Sequence, residues 1–379
     1  MKEIKYIGFY DLEYSVNKRV SSPAAISKMN YICDAINAAG FKVHIVSPSW
    51  FENKYGKKYQ PQETIDIKRH IKVTLSPSFR THRHIFLYLK IFISLCWLFY
   101  YLLRNTDSED RILVYHSPWL YYPIYFAKKI KKFQLILEVE EIYADVNSLN
   151  STFEMLEKKL IKAADKFILA TELLADKISD NKPLIIIYGI YRHYDRHKFP
   201  PNDGKIHLLY AGIIDTHKAG AFNAIAAAPY LGSNYVMHII GFGEEKKLQA
   251  MIDDINFSSE CKIYFEGSLS GSEYLNYCQT CHVGLSTQNN FGKYVDTSFP
   301  SKILSYLSMG LRVVSCRINV VERSRINSLM VYYENNDPIQ IAEAIKAIAF
   351  EIPFDSRMLM EDLNDNFVCD IKRILNLGL

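Results

Sequence analysis

Residues 298–314, SFPSKILSYLSMGLRVV, place a lysine at the mouth of a helix. Pro300 suits a first helical turn, where its missing N–H is not needed. Ile303, Tyr306 and Leu307 then return to one face at helical spacing, and Met309-Gly310 ends the helix before an apolar run, 311–314, that reads as a buried strand. Unpaired N–H groups and the macrodipole make a helix N-terminus an anion site. Ser301 and Lys302 are therefore candidates for holding a phosphate, with Lys302 supplying a point charge. Alone, the segment also fits an ordinary surface helix with one lysine. Its surroundings carry the argument.

Several strand-end loops precede it in order. Gly212 follows LLYA, with Lys218 and Gly220 just before the next helix; Gly241-Phe-Gly243 follows MHII; Gly267, Ser268, Leu269 and Ser270 follow IYFE, and a helix starts at Gly271. In open α/β sheets ligands bind at the carboxyl ends of the strands, and glycine there lets a ligand approach the backbone. Any one such loop is weak evidence, because strand-to-helix turns commonly carry glycine. Their ordered succession is stronger. In the first half, LEVEEIY ends an apolar strand with Glu138, Glu140 and Glu141, a costly place for charge without a purpose. Glu138 and Glu140 are candidates for deprotonating a hydroxyl or holding the hydroxyls of a ligand; acidic residues favouring a helix N-terminus are the alternative. His116, Asp11 and Glu13 rank second, with Asn17, Lys18 and Arg19 in a polar loop before the first helix.

The elements that must position these residues alternate. Strands are expected over 4–9, 42–46, 112–115, 133–139, 167–170 and 184–188, with helices over 25–36, 121–131 and 153–163. Repeated strand–helix–strand units predict a doubly wound sheet. The linker FPPNDG, 199–204, is followed by a second series with strands over 207–211, 236–240, 262–265, 283–286 and 312–316. The expectation is an α/β protein of two Rossmann-like domains, 1–198 and 199–350, joined by a hinge, with a helical tail, 351–379.

Length and composition bound the class. A chain of 379 residues with 49% hydrophobic and 23% charged residues is globular and long enough for two cores. The net charge of +4 does not announce nucleic acid. The N-terminus, MKEIKYIGFYD, reads as a first strand and lacks the apolar core of a signal peptide. Seven cysteines without a secretion signal fit a reducing cytoplasm. Cys278-Gln-Thr-Cys281-His282 matches a haem-attachment pattern, but that would require export; both cysteines read as small apolar fillers. Residues 85–103 are almost wholly apolar and follow Arg80, His82, Arg83 and His84. About twenty residues would span a bilayer, yet Lys90 lies inside the run and strands of one sheet lie on both sides. A helix packed on the sheet with its outer side in the membrane interface is preferred; a buried core helix and a true span stay open.

LLYAGIIDTHKAGA, HIIGFGEEKKLQAMI, IYFEGSLSGSEYLNYCQTCHVGLSTQ and FPSKILSYLSMGLRVVS resemble, in order and spacing, the C-terminal half of GT-B glycosyltransferases. The likeness is nearest to the family-4-like enzymes that build bacterial surface polysaccharides. It covers roughly 206–336; the N-terminal half is similar only in layout. The resemblance implies two Rossmann-like domains facing each other across a cleft, an acceptor against the first, 1–198, and a nucleotide-sugar, most readily UDP-linked, against the second, 199–350, with the tail, 351–379, crossing back to the first. Gly267 to Leu269 would meet the base through backbone groups, and Lys218, Ser301 and Lys302 would meet the diphosphate. It further implies a glycan or lipid-linked acceptor and work at the cytoplasmic membrane surface, peripheral on its inner face. No cofactor is expected, the nucleotide-sugar being a substrate, and no essential metal, because no carboxylate cluster has metal spacing in that half. Two departures stand out: Ile213 occupies the place of the family's arginine, and Thr297 and Ser305 those of its paired glutamates. Some glucosyl- and galactofuranosyltransferase branches are similar in having lysine and serine in this helix. Activity is therefore compatible with these departures, while Ile213, Thr297 and Ser305 make a non-catalytic GT-B-like subunit the alternative. A nicotinamide-dependent Rossmann enzyme is disfavoured, since Gly8-Phe-Tyr-Asp11 stands where G-x-G-x-x-G would.

Overall fold

Apolar runs bounded by glycine and polar turns become parallel strands in both halves of the chain. The computed structural model describes residues 1–12, 14–15, 17–52, 58–81, 84–146, 151–178, 180–289 and 297–376. It divides into one unit of Met1–Ile190 with Asn366–Leu379 and another of Tyr191–Asp365.

The first unit contains β1 (Glu3–Ile7), α1 (Pro23–Ala38), β2 (Lys42–Ser47), β3 (Tyr59–Gln60), β4 (Glu63–Lys68), β5 (Ile71–Leu75), β6 (Ser78–Phe79), α2 (His84–Asn105), β7 (Arg111–Tyr115), α3 (Tyr121–Lys131), β8 (Gln134–Val139), α4 (Tyr143–Val146), α5 (Ser151–Ala163), β9 (Lys166–Leu169), α6 (Glu172–Ile178) and β10 (Leu184–Ile186). Its main sheet has the order β10-β9-β8-β7-β1-β2-β5-β4, parallel except where β4 runs against β5. The pleat sends alternate residues to opposite faces. Ile7, Val114, Leu135, Leu137 and Val139 meet α2, α3 and α5 in one apolar core, whereas Tyr6 and Glu138 turn to the other face. α1 covers that face: a Cβ on Gly8 would lie 2.8 Å from the Met29 sulfur.

α2 is anchored along one side only. Lys90, Ser94, Leu98, Tyr101 and Leu102 recur at helical spacing and are buried. Lys90 Nζ donates to the Phe51 carbonyl at 2.6 Å, and the Ser94 hydroxyl donates to that of Pro48. Phe86–Asn105 has a mean hydropathy of 1.8, long and apolar enough to cross a membrane by length and composition, with 28% of that stretch buried.

The second unit contains β11 (Ile206–Ile214), α7 (Gly220–Ala226), β12 (Tyr235–Gly243), α8 (Glu245–Ser258), β13 (Lys262–Phe265), α9 (Gly271–Cys278), β14 (Val283–Ser286), α10 (Ser301–Ser308), β15 (Arg312–Cys316), α11 (Asn319–Glu322), β16 (Met330–Tyr333) and α12 (Pro338–Lys346). All neighbours pair in parallel, in the order β13-β12-β11-β14-β15-β16. The final helix, α13 (Arg357–Asn376), begins in this unit and ends in the first. Cys278 and Cys281 are buried free thiols that fill apolar space.

β11 and β12 run three residues past the expected ends. Gly212 pairs with Gly241, Ile213 with Phe242 and Ile214 with Gly243, so glycines expected in loops form the last rungs of the sheet. A Cβ on Gly241 would fall 1.9 Å from the Gly212 carbonyl oxygen. Gly241→Ala therefore has to move backbone, at about 1–3 kcal/mol, lowering the Tm by roughly 2–10 °C; a melting curve checks this.

Candidate functional site

α10 is held on the sheet by Tyr306. A Cβ at position 284 would sit 2.2 Å from the Tyr306 ring, so β14 carries glycine there. The Tyr306 hydroxyl accepts the Ala211 N–H at 2.9 Å and donates to the Leu285 carbonyl at 3.4 Å. This packing brings the start of α10 to the carboxyl end of β11. Pro300 stands at the N-cap with extended backbone, and no side chain caps the helix; the Ile303 N–H donates to the Pro300 carbonyl at 3.0 Å, which leaves the Ser301 and Lys302 amides for a ligand.

Lys302 lies on that edge. Its Nζ donates to the Tyr210 hydroxyl at 2.5 Å and sits 4.0 Å from the ring centroid. A Cβ on Gly212 would lie 2.3 Å from Lys302 Cε; glycine there makes room for the lysine stem. Tyr210 is itself fixed, its hydroxyl donating to the Ile213 carbonyl at 3.1 Å, and Gly220 leaves space for that hydroxyl. Burial pushes the Lys302 ammonium down to about 8; the Lys218 charge adds to this and Asp215 opposes it.

The neighbouring loops are tied to the same edge. Gly241 N–H donates to the Gly267 carbonyl at 2.9 Å. Gly267 has φ +73°, a left-handed conformation that favours glycine, and it turns the chain so that Ser268 and Leu269 follow at the strand end. Tyr274 on α9 and Ser305 on α10 share a hydroxyl contact of 3.3 Å. The Lys218 loop is closed by Asp215, which accepts the Lys218 N–H at 2.6 Å, and by Asn289, whose N–H donates to the Lys218 carbonyl at 2.9 Å. Gly212, Gly241, Gly267, Ser268, Leu269, Ser301 and Lys302 thus occupy one edge of the second unit, with Lys218 near enough for its charge to act on Lys302. Sequence reasoning missed Tyr210, whose only signal was an aromatic residue in a largely aliphatic strand. Ile213, which stands where the resemblance implies arginine, pairs with Phe242 on the same rim, and both are exposed.

The first-unit candidates separate. Glu138 is 0% exposed and accepts the Tyr6 hydroxyl; burial, then the charge of Glu140, push its carboxyl up. In this position it has no surface to offer a substrate. Glu140 is half-buried, its Oε1 3.2 Å from Lys28 Nζ. Asp11 uses its two oxygens on the backbone, accepting the Leu12 and Arg19 N–H groups at 2.9 Å each. The Arg19 guanidinium is buried and donates to the Ser49 and Ser76 carbonyls, so both residues hold the loop after β1. His116 is buried at the end of β7, its ring 5.3 Å from that of Tyr143. Burial lowers it to about 4, which keeps it neutral near pH 7. Glu157 lies 3.5 Å from its Nε2 and accepts the Tyr143 and Ala144 N–H groups. Glu13 and Arg83 lie outside the described residues.

Solved structures match almost end to end. The lipopolysaccharide outer core galactosyltransferase WaaB, in its apo form, superposes with a TM-score of 0.63 at 14% identity, over 99% of this chain and 98% of that one. A trehalose-6-phosphate synthase from E. coli bound with UDP-2-fluoro glucose gives 0.63 at 12% identity, over 98% and 99%. A sucrose-phosphate synthase from Thermosynechococcus elongatus gives 0.61 at 14%, over 98% and 94%. The chain has the GT-B fold. At such identities the likeness establishes the GT-B architecture alone. No protein family model and no curated protein sequence matches the chain.

Proposed function

We propose that this GT-B protein is a glycosyltransferase that takes a sugar from a nucleotide-sugar, most readily UDP-linked, and passes it to a lipid-linked or membrane-proximal glycan in surface polysaccharide synthesis. One observation carries the reading. Lys302, Gly212, Gly241 and Gly267 touch in series along the carboxyl ends of β11, β12 and β13, beside the uncapped start of α10.

Transfer needs an acceptor hydroxyl oxygen to bond to the anomeric carbon as the bond to the diphosphate breaks. Lys302, Lys218 and the Ser301 amide end of α10 stabilise the charge that develops on the leaving diphosphate, without a metal ion. Glu140 takes the acceptor proton or holds the sugar; Glu138 steadies it from beneath. Domain assignments follow: donor on 199–350, acceptor on 1–198, with the tail, 351–379, returning to the acceptor domain. The UDP choice draws on the neighbour bound with UDP-2-fluoro glucose and on a synthase from Burkholderia xenovorans described as UDP-forming. The acceptor side draws on the bare apolar side of α2, which suits the inner face of the cytoplasmic membrane.

A thermal-shift panel of nucleoside diphosphates and nucleotide-sugars tests the donor, since a ligand stabilises by its own binding free energy. UDP and one UDP-sugar are expected to raise the Tm, and NAD to leave it unchanged. Ile213, exposed where the resemblance implies arginine, favours the second reading, a non-catalytic GT-B subunit. UDP binding with neither transfer nor donor hydrolysis would select it.

A further inference from the structure

α2, α3 and α5 form one layer on one face of the first unit's sheet. Leu98, Tyr101 and Leu102 of α2, Tyr121, Ile124 and Ala127 of α3, and Leu156, Leu160 and Ile161 of α5 share a single core, with α2 packed on α3 and α3 on α5. Their outward faces therefore make one continuous surface, and that surface is unlike an ordinary solvated one. On α2 it presents Phe86, Leu89, Phe92 (64% exposed), Ile93 and Tyr100. On α3 it presents Tyr122 (50%), Phe126 (48%) and Ile130 (59%), spaced four residues apart along one stripe, and Tyr122 stacks on Phe126 at 6.3 Å. Trp119, exposed in the turn before α3, packs edge-on against Phe153 of α5 at 4.9 Å.

Positive charge borders this apolar ground. One recess of about 390 Å³ is lined by Tyr125, Lys128, Lys129, Lys132 and Ala163. A second, of about 430 Å³, is lined by Ser151, Glu154, Met155, Lys158, Lys159 and Lys162. Lys128 is paired with Asp165 and Lys158 with Glu154. Lys129, Lys132, Lys159 and Lys162 make no ion pair with a carboxylate among the described residues. Lys129 instead rests over the Tyr125 ring, 4.6 Å from its centroid.

We infer that the α2–α3–α5 layer docks on an anionic phospholipid surface, its aromatic stripe entering the acyl boundary while the two lysine-lined recesses take lipid phosphates. The inference rests on the membrane side of the reading above, and adds the elements beyond α2, the lysines and the lipid charge. Charge complementarity names the occupant. Aromatic rings with polar edges beside unpaired lysines match the headgroup region of a bilayer, and basic side chains near an anionic leaflet each add to adsorption. Phosphatidylcholine also carries a phosphate, but its choline cancels the net charge, so a neutral leaflet has no attractive surface potential for the lysines.

The test floats the full-length protein with vesicles of phosphatidylcholine, alone or with added phosphatidylglycerol. Wild type is expected to bind the anionic vesicles and to be released by salt, which screens surface charge. Changing Lys129, Lys132, Lys159 and Lys162 together to Gln should weaken that binding by a factor approaching about a thousand. Tyr122→Ser with Phe126→Ser should weaken binding to both vesicle types. Both variants should keep the wild-type melting response to UDP, which shows that they fold. Equal binding to neutral and anionic vesicles, wild-type binding by the lysine variant, or a stable dimer in solution that binds no vesicle would overturn the inference. Vesicle binding without any UDP response would leave the docking surface standing and remove the donor reading instead.

Discussion

Lys302→Ala should weaken UDP binding by one to two orders of magnitude. A charged contact to phosphate is worth about 1.5–3 kcal/mol, and about 1.4 kcal/mol is tenfold in affinity. The alanine variant should fold, because the Tyr210 hydroxyl keeps its bond to the Ile213 carbonyl and the vacated space lies at the rim of the sheet. The lysine should also show itself through pH. Burial lowers it to about 8, so the free protein carries the charge below that pH and loses it above. UDP affinity should therefore decline as pH rises through 8, by at most about tenfold per pH unit for one proton, and binding near pH 8 should take up a proton. Lys302→Ala should flatten that decline. Calorimetric titration in buffers of different ionisation enthalpy measures both effects. Unchanged affinity in the variant, with an unchanged melting point, would remove Lys302 from the site.

How much of this was legible in the sequence depends on range. α3, β13, β14 and β15 fall at their expected bounds, because each is a short apolar pattern closed by local stop signals. β4 and β5 were not anticipated. Glu63–Lys68 alternates charged and apolar residues on an exposed antiparallel edge, where little burial marks the strand. The strand ends at Gly212 and Gly241 were misjudged for a different reason. Glycine reads locally as a stop, yet here it extends the pairing, since only a residue without Cβ fits against the facing carbonyl. Pairwise chemistry was the least legible. Nothing near Lys302 announces Tyr210, 92 residues away in the chain, and nothing near Glu138 announces Tyr6, 132 residues away. The acidic run was visible as an anomaly, but which carboxylate is sealed and which is open is decided by partners that only the folded sheet brings together.

That difference sharpens the remaining prediction. Glu140→Gln should leave donor affinity near normal and reduce turnover by about 10²–10⁴, the usual span of a general acid–base contribution. Glu138→Gln should do much less to turnover, because burial already favours the uncharged carboxyl and glutamine imitates its shape. Stability complicates the comparison, since Glu140→Gln also strands Lys28. That ammonium is buried and, among the described residues, its other hydrogen bonds go to the Ile187 and Gly189 carbonyls, at 3.4 and 3.3 Å; removing its half-buried partner leaves a buried charge unpaired, at a cost of up to several kcal/mol. A lower Tm is therefore expected whether or not Glu140 acts in the reaction. Lys28→Met separates the two roles. It removes the same ion pair while leaving the carboxylate in place, so a comparable Tm loss with retained turnover assigns the kinetic defect of Glu140→Gln to chemistry. Equal turnover losses in Lys28→Met and Glu140→Gln would make the pair a structural clamp.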